Sequence, residues 1–94
     1  MDTIATVLKQ LGITKHRAVR DFALLNASQK AAEFAQEIEA FERKYHMPFA
    51  KFQSRLQSQS DEVFEEEDDL LAWKFAVDGV TYWREKIEQL KRES

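Results

Sequence analysis

The sequence predicts an all-α fold: an elongated helical hairpin or small bundle of three to five helices, with one long C-terminal helix. Three observations carry that expectation. Gly and Pro together occupy only three of 94 positions, so little interrupts helix formation. Apolar residues recur every three or four positions, and no segment alternates with period two as a half-buried strand would. No Gly/Ser/Pro-rich linker or long-period repeat divides the chain, so residues 1–94 read as a single helical domain.

The elements follow in order. Asp2 or Thr3 can cap a first short helix that carries Ile4, Val7, Leu8 and Leu11 on one face and ends at Gly12. Thr14 suits the N-cap of a second helix. From Lys15 to Tyr45 there is no Gly or Pro, and Ala18, Phe22, Leu25, Ala32, Ala35, Ile38 and Phe41 recur at helical spacing. Within it, Asn26-Ala27-Ser28-Gln29 resembles a capping box, which predicts a kink or a split. His46-Met47-Pro48 breaks the pattern, because the residue before Pro is pushed out of the α region while Pro suits a first helical turn. Phe49, Phe52 and Leu56 give a short third helix. Ser58 or Ser60 then caps a last helix over about residues 62–91.

That last helix carries two apolar stripes. At 100° per residue, Leu70, Trp73, Val77, Val80, Ile87 and Leu90 form one, and Phe64, Leu71, Phe75 and Tyr82 form another, more than 90° away. The remaining sector holds Glu67, Lys74, Asp78 and Glu85, with Lys74 and Asp78 spaced to pair. The chain's other helices can cover one stripe, leaving the second for another copy or a different protein. Gly79, inside the helix, costs about 1 kcal/mol relative to Ala, a cost that close backbone approach can offset. Thirty helical residues span roughly 45 Å, so the molecule is expected to be elongated or to pack lengthwise as a homodimer or higher oligomer.

Composition narrows the function classes. The absence of Cys excludes disulfides, thiolate metal sites and a cysteine nucleophile. No apolar run approaches the ~18 residues of a membrane span, and no basic-then-apolar leader opens the chain, so a cytoplasmic protein with no membrane role is expected. No Gly-rich phosphate loop or nucleophile motif is present. No acid stands three residues before His16 or His46, as bundle metal sites require, so neither a metal nor a cofactor is expected. Acid–base catalysis needs carboxylates of separated acidity in a dry pocket, which a solvated helix end does not provide. The expectation is a protein that is not an enzyme.

Charge suggests a partner instead. Residues 1–60 carry nine Lys or Arg against six Asp or Glu, a net +3, whereas residues 61–94 carry five against eleven, a net −6. Seven carboxylates fall within DEVFEEEDD, residues 61–69. Some complement the helix dipole, but seven exceed what capping requires and repel one another. Glu66 projects at the same angle as Trp73 and Val80, with Glu62 and Asp69 beside it. An acidic patch continuous with aromatic surface suits a basic partner protein, charge steering the approach and a buried Trp holding it. The partner-binding set expected is therefore Glu62, Glu66 and Asp69 with Leu70, Trp73, Val77 and Val80.

The N-terminal stretch LKQLGITKHRAVRDF supplies an alternative. It resembles a helix-turn-helix, with Lys15, His16, Arg17 and Arg20 placed to meet phosphates and base edges. On this reading the chain is a DNA-binding transcriptional regulator using residues 3–24, with Lys15, Arg17 and Arg20 on the nucleic acid. Leu8 stands where that motif has a small residue, and four Lys or Arg in the first 25 residues are few for binding built on phosphate neutralisation. A third reading is a structural homo-oligomer that fills the second stripe with its own copy.

Two segments carry a family resemblance. FERKYHMPFAKFQSRL followed by EEEDDLLAWKFAVDG is similar to small cyanobacterial and archaeal antitoxin-like proteins of toxin–antitoxin loci. Their pattern runs roughly FE-x-KYGM-S-F-x-x-F, then an acidic stretch, then DD-x-x-x-W-x-x-A. Phe41, Tyr45, Met47, Phe49 and Phe52 match the first part, and Asp68, Asp69, Trp73 and Ala76 the second. His46 replaces the usual Gly and Pro48 the usual Ser or Thr, which puts the shape of that turn in question. The resemblance covers about residues 30–90 and implies neutralisation of a toxin, often a basic ribonuclease-like protein.

Overall fold

The computed structural model describes residues 2–93 as four helices: α1 (Thr3–Leu11), α2 (Lys15–Tyr45), α3 (Phe49–Ser58) and α4 (Phe64–Arg92), with no strand among them. Their boundaries follow from local chemistry. Asp2 accepts a hydrogen bond from the Ala5 amide at 3.2 Å and caps α1. Gly12 closes α1 in the left-handed conformation (φ 72°), and the Ile13 amide donates back to Leu8 at 2.9 Å. Thr14 accepts from the Arg17 amide at 3.1 Å and starts α2.

α2 runs unbroken for 31 residues, so the split expected at Asn26–Gln29 does not occur. Instead of capping a new helix, the Asn26 side chain donates to the Phe22 carbonyl one turn back. α2 ends at His46, which takes φ 58°, ψ 36° and returns its amide to Glu42. Pro48 is the N-cap of α3, one position ahead of the first helical turn.

α4 begins at Phe64, two residues later than expected, and Val63 caps it without a side-chain hydrogen bond. Ser58 is instead the last residue of α3, its hydroxyl donating to Ser54 and Arg55 carbonyls. Glu65, Glu66 and Glu67 in the first turn of α4 compensate by facing its exposed amides with negative charge.

α2 and α4 pack antiparallel along most of their length. The pairings fix the direction: Tyr45 meets Asp69, Phe41 stacks on Trp73, Phe34 meets Phe75, and Arg20 reaches the Glu93 carbonyl. Along α2, Leu24, Ala27, Ala31, Phe34, Ile38, Phe41 and Tyr45 are turned inward at alternating steps of three and four. Along α4 the matching row is Glu66, Asp69, Trp73, Ala76, Val80, Trp83, Ile87 and Leu90. That step pattern is the seam of two helices wound around one another. Phe22, Leu25 and Ala32, expected on the inward face of α2, lie exposed instead.

The result is a rod of 66 × 23 × 18 Å. Its radius of gyration is 19.9 Å, against about 12 Å for a compact domain of this length. Among the described residues no helix is long and apolar enough to cross a membrane.

Candidate interaction surface

The core concentrates at one end of the rod. Trp73 from α4 is fully buried between Phe41 and Tyr45 of α2 and Phe49 and Phe52 of α3, with ring centroids 5.2–6.1 Å away. Phe52 is also fully buried, and its ring lies 4.2 Å from that of Tyr45. Ala76, one turn along α4 from Trp73, has no exposed surface either. Phe41, Tyr45, Phe49, Phe52 and Trp73 together build this aromatic box.

The structure corrects the expected role of the first α4 stripe. Trp73 and Val80 are buried in the chain's own hairpin, and Leu70 and Val77 are half-buried beside them. In the folded chain Trp73 and Val80 are out of a partner's reach. α3 decides the matter: it folds Phe49 and Phe52 onto Trp73, which selects that stripe as the inner one.

The acidic residues are corrected in the same way. Glu66 receives the Arg55 guanidinium at 2.6 Å, and that guanidinium also lies over the Phe52 ring at 5.1 Å. Asp69 accepts from Lys44 at 2.7 Å and from the Tyr45 hydroxyl, and Lys44 also reaches Glu65 at 2.8 Å. This cluster ties the C-terminus of α2 to the N-terminus of α4. Burial pushes the Tyr45 hydroxyl up to about 12, and its bond to Asp69 adds to the shift. Hydrogen bonds to Asp69 and then Glu65 hold the Lys44 ammonium above its ordinary range. Partial burial pushes the Asp69 carboxyl up, but the hydrogen bonds from Lys44 and Tyr45 outweigh it and leave it below the usual carboxylate range. Glu66 and Asp69 are therefore internal ties. Glu62 is exposed ahead of α4, and among the described residues Asp61, Glu62, Glu67 and Asp68 form no ion pair.

The second α4 stripe is the exposed one. Phe64, Leu71, Phe75 and Tyr82 are 78%, 68%, 66% and 51% exposed, in a row about 27 Å long. At helical spacing Asp68 and Asp78 fall within this row, and Glu67, Lys74 and Glu85 along its edges. Lys74 and Asp78 pair at 2.8 Å. Beside Leu71, a hollow of about 330 Å³ opens between α3 and α4, lined by Leu56, Gln57, Glu67, Leu70 and Leu71.

At the other end of the rod, α1 and α2 form the helix–turn–helix connection expected from LKQLGITKHRAVRDF. Of the three bases expected on nucleic acid, Arg20 turns away from solvent to donate to the Glu93 carbonyl at 2.7 Å and lies 3.2 Å from Asp21. Arg17 approaches Asp21 at 3.9 Å, and Lys15 borders an apolar groove against α1. The arrangement places Arg20 at the C-terminus of α4, where a cation complements the helix dipole.

Among the described residues no group of three or more His, Asp or Glu converges on a point that could hold a metal ion. No family model matches the chain, and no curated protein or solved structure matches it either.

Proposed function

We propose that this chain is a non-enzymatic protein-interaction module, antitoxin-like as the family resemblance implies, that receives a basic partner protein on the outer face of α4. The observation that carries the reading is the row Phe64, Leu71, Phe75 and Tyr82, large apolar side chains held 51–78% exposed with Asp68 and Asp78 among them. Single exposed apolar residues are ordinary on any surface, but a continuous row edged by charge marks an interaction site. Asp68, Glu67 and Glu62 supply the long-range attraction, and the aromatic row supplies the contact that persists once water is expelled. The docking set therefore moves from the inner stripe to the outer one, while the chemistry of the partner stays as the charge pattern implies.

The test is a parallel affinity capture from lysate of the source organism with two baits, the wild-type chain and a Leu71→Ser/Phe75→Ser variant. Both side chains are more than 60% exposed, and because Phe75 also meets the Phe34 ring edge-on, the variant's thermal unfolding is compared with that of the wild type before capture. The expected result is one stoichiometric basic protein on the wild-type bait that is lost from the variant. Equal retention on both baits, or recovery of bait copies alone, would overturn the reading. Salt-sensitive retention of duplex DNA that disappears on replacing Lys15 and Arg17 would favour the DNA-binding alternative.

A further inference from the structure

The outer face of α4 is one of two uncovered apolar surfaces among the described residues. At the opposite end of the rod, α1 folds back onto the start of α2 and forms an elbow. Ile4, Leu11, Val19, Phe22 and Leu25 are 59–72% exposed there. Between the two helices lies an open groove of about 510 Å³ bordered by Ile4, Leu8, Lys15, Ala18, Val19 and Phe22. Among the described residues nothing covers either surface.

We propose that two copies of this chain associate with the elbow of one seated on the outer α4 stripe of the other. Charge selects this pairing over its alternatives. Between Asp2 and Leu25 stand four Lys or Arg and two Asp, a net +2, and Lys15 sits on the groove itself. Between Asp61 and Glu85 stand nine Asp or Glu and two Lys or Arg, and with Lys44 and Arg55, which pair with Glu65, Asp69 and Glu66, this end keeps a net −5. Elbow against elbow sets like charge on like, and stripe against stripe opposes Asp68 and Asp78 with their own copies. Elbow against stripe brings opposite signs together around two apolar centres.

The elongated shape leaves ample surface for such an arrangement. The chain exposes 7227 Å², whereas a folded monomer of 11.1 kDa exposes about 5,700 Å². A specific interface takes about 800 Å² from each partner. The rod shape accounts for the excess of about 1,500 Å², and the elbow and the stripe are the places where large apolar side chains share in that exposure. The elbow has the same chemistry, apolar with a basic rim, that the proposed function assigns to the partner, so a self-associated copy and a partner compete for one site. The self-association stands on its own observations and does not depend on that partner existing.

The chain contains no Cys, which makes disulfide trapping clean. Phe22→Cys and Phe75→Cys variants, one bearing a mass tag, are mixed in equal amounts, oxidised and separated without reductant. Light scattering gives the mass of the unmodified wild type. The expected results are a wild-type mass at least twice that of one chain, a cross-link between the two different variants, and a return to single-chain mass on Phe22→Asp. A closed dimer and a concentration-dependent ladder both support the proposal, since they differ only in whether both contacts join the same two copies. A single-chain mass at every concentration, or cross-links dominated by either variant with itself, would overturn it. No other protein is present in this experiment, so its failure leaves the partner reading intact. Loss of the captured partner with an intact cross-link would do the reverse.

Discussion

Phe34 lays its ring against the bare backbone of Gly79: a Cβ built at residue 79 would come within 2.6–2.8 Å of three of its ring atoms. Real Cβ atoms do not tolerate that approach, so the glycine lets α4 come close to α2 at this level. The same ring meets Phe75 edge-on at 5.5 Å. Gly79→Ala would otherwise gain about 1 kcal/mol in helix propensity. Here overpacking outweighs that gain, and a net loss of about 1–2 kcal/mol is expected in denaturant titration. In a Phe34→Ala background the same change should turn stabilising, because the obstructing ring is gone. A double-mutant cycle reads the coupling directly.

His46 holds the left-handed conformation at the end of α2, with φ 58° and its amide returned to Glu42. Glycine adopts this conformation without a steric penalty, so the turn keeps the geometry of a glycine without having one. A side chain in this conformation costs about 1–2 kcal/mol that glycine avoids. Allowing for the extra freedom glycine has when unfolded, His46→Gly should stabilise the chain by about 0.5–1 kcal/mol. A raised denaturation midpoint with unchanged slope would show it, and an unchanged or lowered midpoint would contradict it.

The tie between Lys44, Tyr45 and Asp69 predicts a stability profile with two shoulders. Asp69 titrates below the ordinary carboxylate range in the fold. Its contribution is present above the unfolded value, about 3.9, and is lost as pH falls through the lower folded value. Tyr45, raised from 10.0 to about 12, and Lys44, also raised, contribute fully below their unfolded values and lose that contribution as pH climbs through the folded ones. Asp69→Asn should cost about 1–2 kcal/mol at neutral pH and flatten both shoulders. In a Tyr82→Phe variant, where Tyr45 is the remaining tyrosine, tyrosinate absorbance should rise near pH 12 when folded and about two units lower in denaturant.

Trp73→Ala removes the centre of the aromatic box and should cost about 3–5 kcal/mol, a large share of the stability of a chain this size. Loss of cooperative thermal unfolding is the expected readout. By contrast, Phe75→Ser on the outer stripe should cost only about 0.5–1.5 kcal/mol, the worth of its edge contact with Phe34. Equal costs at the two positions would mean that α4 had been assigned the wrong inner face.

Much of the fold is legible in the sequence because it is locally encoded. The caps at Asp2 and Thr14, the stop at Gly12 and the break around Met47 and Pro48 each depend on neighbours a few residues away. The inner register of α2 is harder to read, because apolar residues stand side by side at the deciding positions. Leu24 adjoins Leu25 and Ala31 adjoins Ala32, and hydropathy cannot choose within either pair. The bulky Phe22 pulls the expected face toward the side that is in fact exposed, one position away from the Leu24, Ala31 and Phe34 row. The choice between the two α4 stripes is equally hidden. Both have helical spacing and similar bulk, and only the docking of rings from α2 and α3, Phe41 and Tyr45 with Phe49 and Phe52, separates them. One signal is available: Glu66 and Asp69 share the angular sector of Trp73, and acids on an inner stripe require bases opposite. Lys44 and Arg55, from the segments just before α4, are those bases.

The distribution of the core has a mechanical consequence. Arg20 and Glu93 meet at one end of the rod, and the aromatic box lies toward the other. Tension applied between residues 20 and 93 would load the α2–α4 seam one rung at a time, as in a zipper, rather than shearing it all at once. After Leu24, the early rungs on the α2 side hold only the small Ala27 and Ala31, and the later ones hold stacked rings. Resistance should therefore grow as the hairpin opens. Without applied force the same gradient should appear in amide exchange, with residues 24–31 breathing far more often than the turns that hold Phe41 and Trp73.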